Sequence, residues 1–174
     1  MSPQTPNPNK PSREAATAIP PMGSFTRLTY HIVFATKYRK PTIREDIQKR
    51  LYEYLGGTLR AKKGHLIEIG GVEDHLHLLA HFSPSLALSD VVRDLKANTS
   101  KWMKDELSID DFEWQKGFGA FTVSYDRVEA IRKYIQNQKE HHRTKTFQEE
   151  YIEFLQRHVI EFQLEYLFEH EHNG

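Results

Sequence analysis

The chain interleaves stretches that alternate with period two and stretches with helical spacing, and that order limits it to a few architectures. Leu28, Tyr30, Ile32 and Phe34 fall on one side of an alternating run, with Thr29, His31, Val33 and Ala35 on the other, which predicts a strand from Arg27 to Ala35. Pro41 predicts the start of a helix carrying Ile43, Ile47, Leu51 and Leu55 at a spacing of four, weakened near its end by Gly56-Gly57. His65 to Ile69 predicts a second strand, Gly70-Gly71 a turn, and Glu73 to Phe82 a third strand holding the run HLHLLAHF. Ser89 is the expected N-cap of a helix to about Leu107, with Val92, Leu95, Thr99 and Trp102 in sequence. Trp114 to Ser124 reads as a bent, glycine-interrupted strand. A helix from about Asp126 to His142 buries Val128, Ile131 and Ile135. An amphipathic tail helix follows from about Phe147, with Tyr151, Phe154, Leu155 and Phe162. The order is β-α-β-β-α-β-α with a tail helix. Its first six elements match the α+β, ferredoxin-like plan of an antiparallel sheet with two helices on one face.

A length of 174 residues suits one such domain, and 38% hydrophobic residues supply a core. Cysteine is absent, which excludes disulfides, thiolate zinc sites and cysteine nucleophiles and fits a reducing compartment. No uncharged apolar run reaches the ~18–20 residues of a membrane span. The N-terminus lacks the apolar core of a secretory signal. The expectation is a soluble cytoplasmic protein, with residues 1–22, which hold six of the eight prolines, as a disordered leader.

Lys and Arg total 24 and Asp and Glu total 24, so the net charge is zero, but the charge is unevenly placed. Residues 145–174 hold two basic residues and seven Glu (2 − 7 = −5), while residues 22–144 hold 20 basic and 16 acidic residues (20 − 16 = +4). Lys37, Arg39 and Lys40 form one basic cluster, and Arg132, Lys133, Lys139 and Arg143 another. Both can neutralise phosphates, and both are candidate DNA contacts.

Three features carry chemistry. His75 and His77 alternate within the third strand, so they share a face with Cα atoms ~6.5–7 Å apart, and two imidazoles at that spacing can converge on one metal ion. Leu76 and Leu78 face the other way as anchors. His81 lies too far along the strand to join the same ion. Tyr134 and Gln138 stand four apart on the penultimate helix and share a face. Arg132, Lys133, Lys139 and Arg143 surround that pair, and cations near a phenol favour the phenolate and attract a phosphodiester. Together these describe one reaction. A divalent ion on His75 and His77 polarises a phosphate, Tyr134 attacks phosphorus, and the Gln138 amide oxygen is available as a third ligand.

These residues resemble the single-tyrosine HUH transposases, the small TnpA-type enzymes of bacterial insertion sequences and their repeat-associated relatives. The likeness rests on His75-Leu76-His77 within GVEDHLHLL, on Tyr134-Ile135-Gln136-Asn137-Gln138 followed by KEHH, and on the segments TYHIVFATKYRKP and WQKGFGAFTVS. It runs from about Ser24 to His170. The resemblance implies a catalytic domain over residues 23–144 and an acidic C-terminal helix extension over 145–174, like that of the repeat-associated relatives. It implies a homodimer with sheets joined edge to edge, in which the tyrosine helix of one subunit can complete the site of the other. The implied substrate is single-stranded DNA with hairpin or inverted-repeat structure, cleaved to a 5′-phosphotyrosine and a free 3′-hydroxyl. Mg²⁺ or Mn²⁺ is the implied cofactor, with His75, His77 and Gln138 as ligands and Tyr134 as nucleophile. The alternative is a domesticated or inactive DNA-hairpin-binding protein of the same fold. The presence of both histidines, the tyrosine and the glutamine favours the enzyme. The remaining histidines, among them His31, His141 and His142, are expected at the surface or core edge.

Overall fold

The computed structural model describes residues 25–168. Its elements are β1 (Leu28–Ala35), α1 (Glu45–Ala61), β2 (His65–Val72), β3 (His75–Phe82), α2 (Leu88–Leu107), β4 (Gly119–Thr122), α3 (Val128–Gln136), α4 (Gln138–His141), α5 (Phe147–Arg157) and α6 (Leu164–Leu167). The strands form an antiparallel sheet in the order β2-β3-β1-β4, so the α+β, ferredoxin-like plan holds. The expected leader lies outside the described residues. Among the described residues no helix is long and apolar enough to cross a membrane.

The alternation of β1 and β3 splits the core in two. Ile32, Phe34, Leu76 and Leu78 pack against Ile47, Leu51, Leu55 and Leu59 of α1 and Val92, Leu95 and Met103 of α2. Val33, Ala35 and Phe121 face the other way and pack against Phe147, Tyr151, Phe154 and Leu155 of α5. The tail helix thus covers the sheet face opposite α1 and α2. Each buried Phe of that layer stabilises it by about 1.5–3 kcal/mol. Thr146 and Glu149 form a capping box that fixes where α5 begins.

Several boundaries differ from the sequence expectation. The helix expected at Pro41 starts at Glu45, because the Ile43 N–H donates to the Glu73 carbonyl at 2.8 Å and ties that stretch to the β2–β3 turn. It also runs through Gly56-Gly57 to Ala61, since Leu59 continues the buried stripe. Gly70 and Gly71 form no turn. They extend β2, where the missing side chains admit Ile135 of α3 and the backbone of His75. Ala87, not Ser89, is the N-cap of α2, because Leu88 already packs on the core. The strand expected from Trp114 shrinks to four residues. Trp114 pairs only with Thr36 in an isolated bridge and packs edge-on against Phe34. The helix expected from Asp126 to His142 breaks at Asn137 (φ −96°, ψ 16°), whose N–H is shared between the Lys133 and Tyr134 carbonyls.

Candidate functional site

His75 and His77 enter the site from the β3 face that points toward α5, and both are fully buried. Each ring is oriented by its second nitrogen. His75 Nδ1 donates to Asp74 Oδ1 at 2.7 Å, and Arg39 in turn holds Asp74, with Arg39 Nε 3.0 Å from Asp74 Oδ2. The Arg39 guanidinium also lies 4.2 Å over the Phe147 ring, which packs on His75 at 4.6 Å. Burial first, and then the neighbouring His77, pull His75 down to about 4, although its bond to Asp74 opposes this. At neutral pH the ring is therefore uncharged, with its proton on Nδ1 and the Nε2 lone pair turned inward. His77 Nδ1 shares a hydrogen bond with His31 Nε2 at 2.9 Å, on a ring stacked beside it. Burial, then His77, holds His31 well below its ordinary value.

Across from the histidines stand Tyr134 of α3 and Gln138 of α4. The Tyr134 ring meets His77 edge-on at 6.0 Å and Phe154 at 6.0 Å. Gln138 is buried, with Oε1 3.3 Å from His75 Nε2 and 3.0 Å from His142 Nε2. The four predicted residues therefore converge within one chain, and the tyrosine of this chain faces its own histidines.

Sequence reasoning missed the residue at the centre. Glu150 of α5 is 2% exposed, and its carboxylate lies among Tyr134, Gln138, His75, His77, His141 and His142. Oε1 accepts from the Tyr134 hydroxyl and from Gln138 Nε2 at 3.1 Å. Burial opposes the charge of Glu150, but the imidazoles of His142 and His77 and the Tyr134 hydroxyl outweigh it and hold the carboxylate well below its ordinary range. A signal was available. Phe147, Glu150, Tyr151, Phe154 and Leu155 recur at helical spacing, so Glu150 is a carboxylate on a buried stripe.

The phenol departs from the expected phenolate. Burial first, and then the Glu150 charge, push Tyr134 well above its ordinary value. The cations expected to act on it are engaged elsewhere. Arg132 pairs with Glu68 at 3.2 Å, Lys139 with Glu45 at 2.6 Å and Arg143 with Glu140 at 3.0 Å. Lys133 is exposed on α3. Lys37 pairs with Glu113, and Lys40 lies 3.9 Å from Asp111. A cleft of about 590 Å³ opens beside the site, lined by Arg39, Asp74, His142, Arg143 and Lys145 among others.

The donor set fits a divalent ion. One ligand atom each from His75, His77, His142 and Glu150 lie within 4.8 Å of one another. His77 Nε2 and Glu150 Oε2 are buried without a hydrogen-bond partner, although they are 3.4 Å apart. Buried polar atoms left unpaired in a polar cluster are what a cation satisfies.

Residues 24–138 match the protein family described as "Transposase IS200 like". The chain is 27% identical over 123 residues to the ISDra2 transposase TnpA of Deinococcus radiodurans, covering 67% of this chain and 87% of that protein. It is 26% identical over 117 residues to the transposase for insertion sequence element IS200 of Salmonella typhimurium, covering 64% and 76%. A crystal structure of a transposase from Deinococcus radiodurans R1 matches with a TM-score of 0.54 and 25% identity, over 67% of this chain and 95% of that one. A REP-associated tyrosine transposase solved with a REP hairpin shares the fold, with a TM-score of 0.53 over 70% of this chain and 74% of that one, at 13% identity. Because that family match spans well over half of the sequence, the chain belongs to the IS200-like transposase family.

Proposed function

We propose that this protein cleaves and rejoins single-stranded DNA beside hairpins or inverted repeats through a covalent bond to Tyr134. The observation that carries the reading is that Tyr134, His77 and Gln138 close on one point from three different elements of a single chain. His75, His77 and Gln138 hold the divalent ion, Mg²⁺ or Mn²⁺, which when bound polarises the scissile phosphate. The Tyr134 oxygen bonds to phosphorus, the bond from phosphorus to the 3′-oxygen breaks, and a 5′-phosphotyrosine and a 3′-hydroxyl remain. The phenol proton already points at Glu150 Oε1, which gives it an acceptor when the oxygen attacks. Return of a 3′-hydroxyl to the phosphotyrosine reverses the exchange and joins strands.

The cleft beside His142 gives a phosphodiester an approach lined by Arg143 and Lys145. Lys37, Lys40, Arg132, Lys133, Lys139 and Arg143 supply further backbone contacts. The surface ion pairs of Lys37, Lys40, Arg132, Lys139 and Arg143 are weak, so a phosphate can displace the carboxylates. Arg39 acts through Asp74 instead. The hairpin in the solved REP-associated relative supports a folded-back strand as ligand. A homodimer formed through sheet edges would bring two such centres together, each with its tyrosine in cis. The protein acts on DNA in the cytoplasm.

One second reading is an inactive hairpin binder, favoured by the burial and the Glu150 charge that push Tyr134 well above its ordinary value and oppose a phenolate. One experiment separates the two. Labelled single-stranded DNA carrying an inverted repeat from the gene's flanks is incubated with the protein and Mn²⁺, then run on a denaturing gel. A protein-linked product that disappears in Tyr134→Phe and His77→Ala supports the enzyme. Hairpin binding without any adduct supports the second reading.

A further inference from the structure

Resting on the metal-dependent reading above, we propose that His142 and Glu150 are themselves metal ligands, so that the ion ties the C-terminal helix to the sheet. Both residues lie beyond the span that matches the family, residues 24–138. Glu150 Oε2 stands 3.3 Å from His142 Nε2, 3.4 Å from His77 Nε2 and 3.8 Å from His75 Nε2. Ligands at ~2.1 Å from one ion are about 3.0 Å apart at right angles and about 3.4 Å apart at the tetrahedral angle, so the two shorter spacings are those of neighbours around one centre.

The outer contacts agree. His142 Nδ1 donates to the Lys145 carbonyl at 2.8 Å, which turns Nε2 inward, as Asp74 does for His75 and His31 for His77. The two carboxylate oxygens of Glu150 divide the work. Oε1 is occupied by Tyr134 and Gln138, while Oε2 is buried with no hydrogen-bond partner and faces the imidazoles. Gln138 Oε1 lies 3.0 Å from His142 Nε2 and 3.3 Å from His75 Nε2, so it borders the same point. A set of three imidazoles, one carboxylate and one amide suits Mn²⁺ and its borderline neighbours better than Mg²⁺, which prefers oxygen.

Mn²⁺ binding to the full chain tests this without DNA. Isothermal titration and the rise in melting temperature on adding Mn²⁺ are measured for the native protein, Glu150→Gln, His142→Asn and His77→Ala. The expected result is one Mn²⁺ per chain, with affinity lowered tenfold or more in Glu150→Gln and in His142→Asn. Unchanged affinity in both, with binding lost in His77→Ala, overturns the assignment and leaves the ligand set of the proposed function standing. No Mn²⁺ uptake by the native protein overturns both. Should either variant fail to fold, electron spin-echo spectra of the Mn²⁺-loaded native protein with ¹⁵N-labelled histidine decide. Three coupled imidazoles are expected, and two would overturn the role of His142.

Discussion

The Tyr134 hydroxyl donates its hydrogen bond to Glu150 Oε1, the same oxygen that Gln138 Nε2 reaches at 3.1 Å. A single carboxylate from the tail helix therefore holds the Tyr134 phenol and its glutamine neighbour together. Burial raises the phenol above its ordinary value, and the Glu150 charge raises it further. Replacing the charge with an amide removes the second cause and keeps the first. In Glu150→Gln, Tyr134 is expected to ionise at lower pH than in the native protein. Ultraviolet titration at 295 nm, with Tyr134→Phe subtracted, reads this directly, and an unmoved phenol would contradict it.

Asp74 is the next lever, because its carboxylate meets the outward nitrogen of His75 and the guanidinium of Arg39. Asp74→Asn weakens the acceptor that fixes the His75 tautomer. Such outer partners typically change metal affinity by about 10–100-fold. We expect a loss of that order in Mn²⁺ affinity, with little change in melting temperature without metal. Affinity equal to that of the native protein would show that the His75 ring is oriented by packing alone.

The parts of the fold readable from sequence are those where period and burial agree. Ile32, Phe34, Leu76 and Leu78 alternate with their neighbours and line one core layer, so the histidines on the opposite face followed from the strand itself. Tyr134 and Gln138 were legible as a spaced pair. What was not legible depends on contacts distant in sequence. Gly70 and Gly71 have the composition of a turn, yet they continue β2 because α3 needs the space. Glu150 reads in the sequence as one of seven Glu in an acidic tail, and only the packing of Phe147 and Phe154 on the sheet shows that its helix turns this carboxylate inward. For the same reason the sequence places His31 and His142 at the surface or core edge. Their partners, His77 and Glu150, lie on other elements.

The two strand glycines make the next test. A Cβ at Gly70 would meet the Ile135 carbonyl oxygen at 2.5 Å, and one at Gly71 would meet the His75 carbonyl oxygen at 2.2 Å. Neither backbone atom can move without shifting α3 or the start of β3, which carry Tyr134 and His75. Gly70→Ala and Gly71→Ala should each destabilise by about 1–3 kcal/mol in urea unfolding and reduce adduct formation. Gly57, exposed within α1 with nothing within 4 Å of its Cβ direction, is the control. Gly57→Ala should stabilise by about 0.5–1 kcal/mol and leave adduct formation alone. Equal effects at all three would show that strand β2 tolerates the displacement.

Tyr52 lies on the other side of the sheet from the site, where α1 packs on the core, and its hydroxyl is buried with no hydrogen-bond partner. Burial pushes its ionisation up to about 12. An unpaired buried hydroxyl opposes folding, so Tyr52→Phe should gain about 1 kcal/mol near neutral pH. The pH dependence has a definite sign. Between about 10, where the unfolded tyrosine ionises, and about 12, the folded chain holds a proton that the unfolded chain has lost. Stability therefore falls as pH rises through that window, by about 2 kcal/mol from this one group. Other groups contribute equally to both proteins, so the difference between native and Tyr52→Phe isolates it. Urea midpoints taken at pH 8 and at successive values above 10 should show the variant's advantage widening. A constant difference across that range would mean that the hydroxyl reaches water in the folded state.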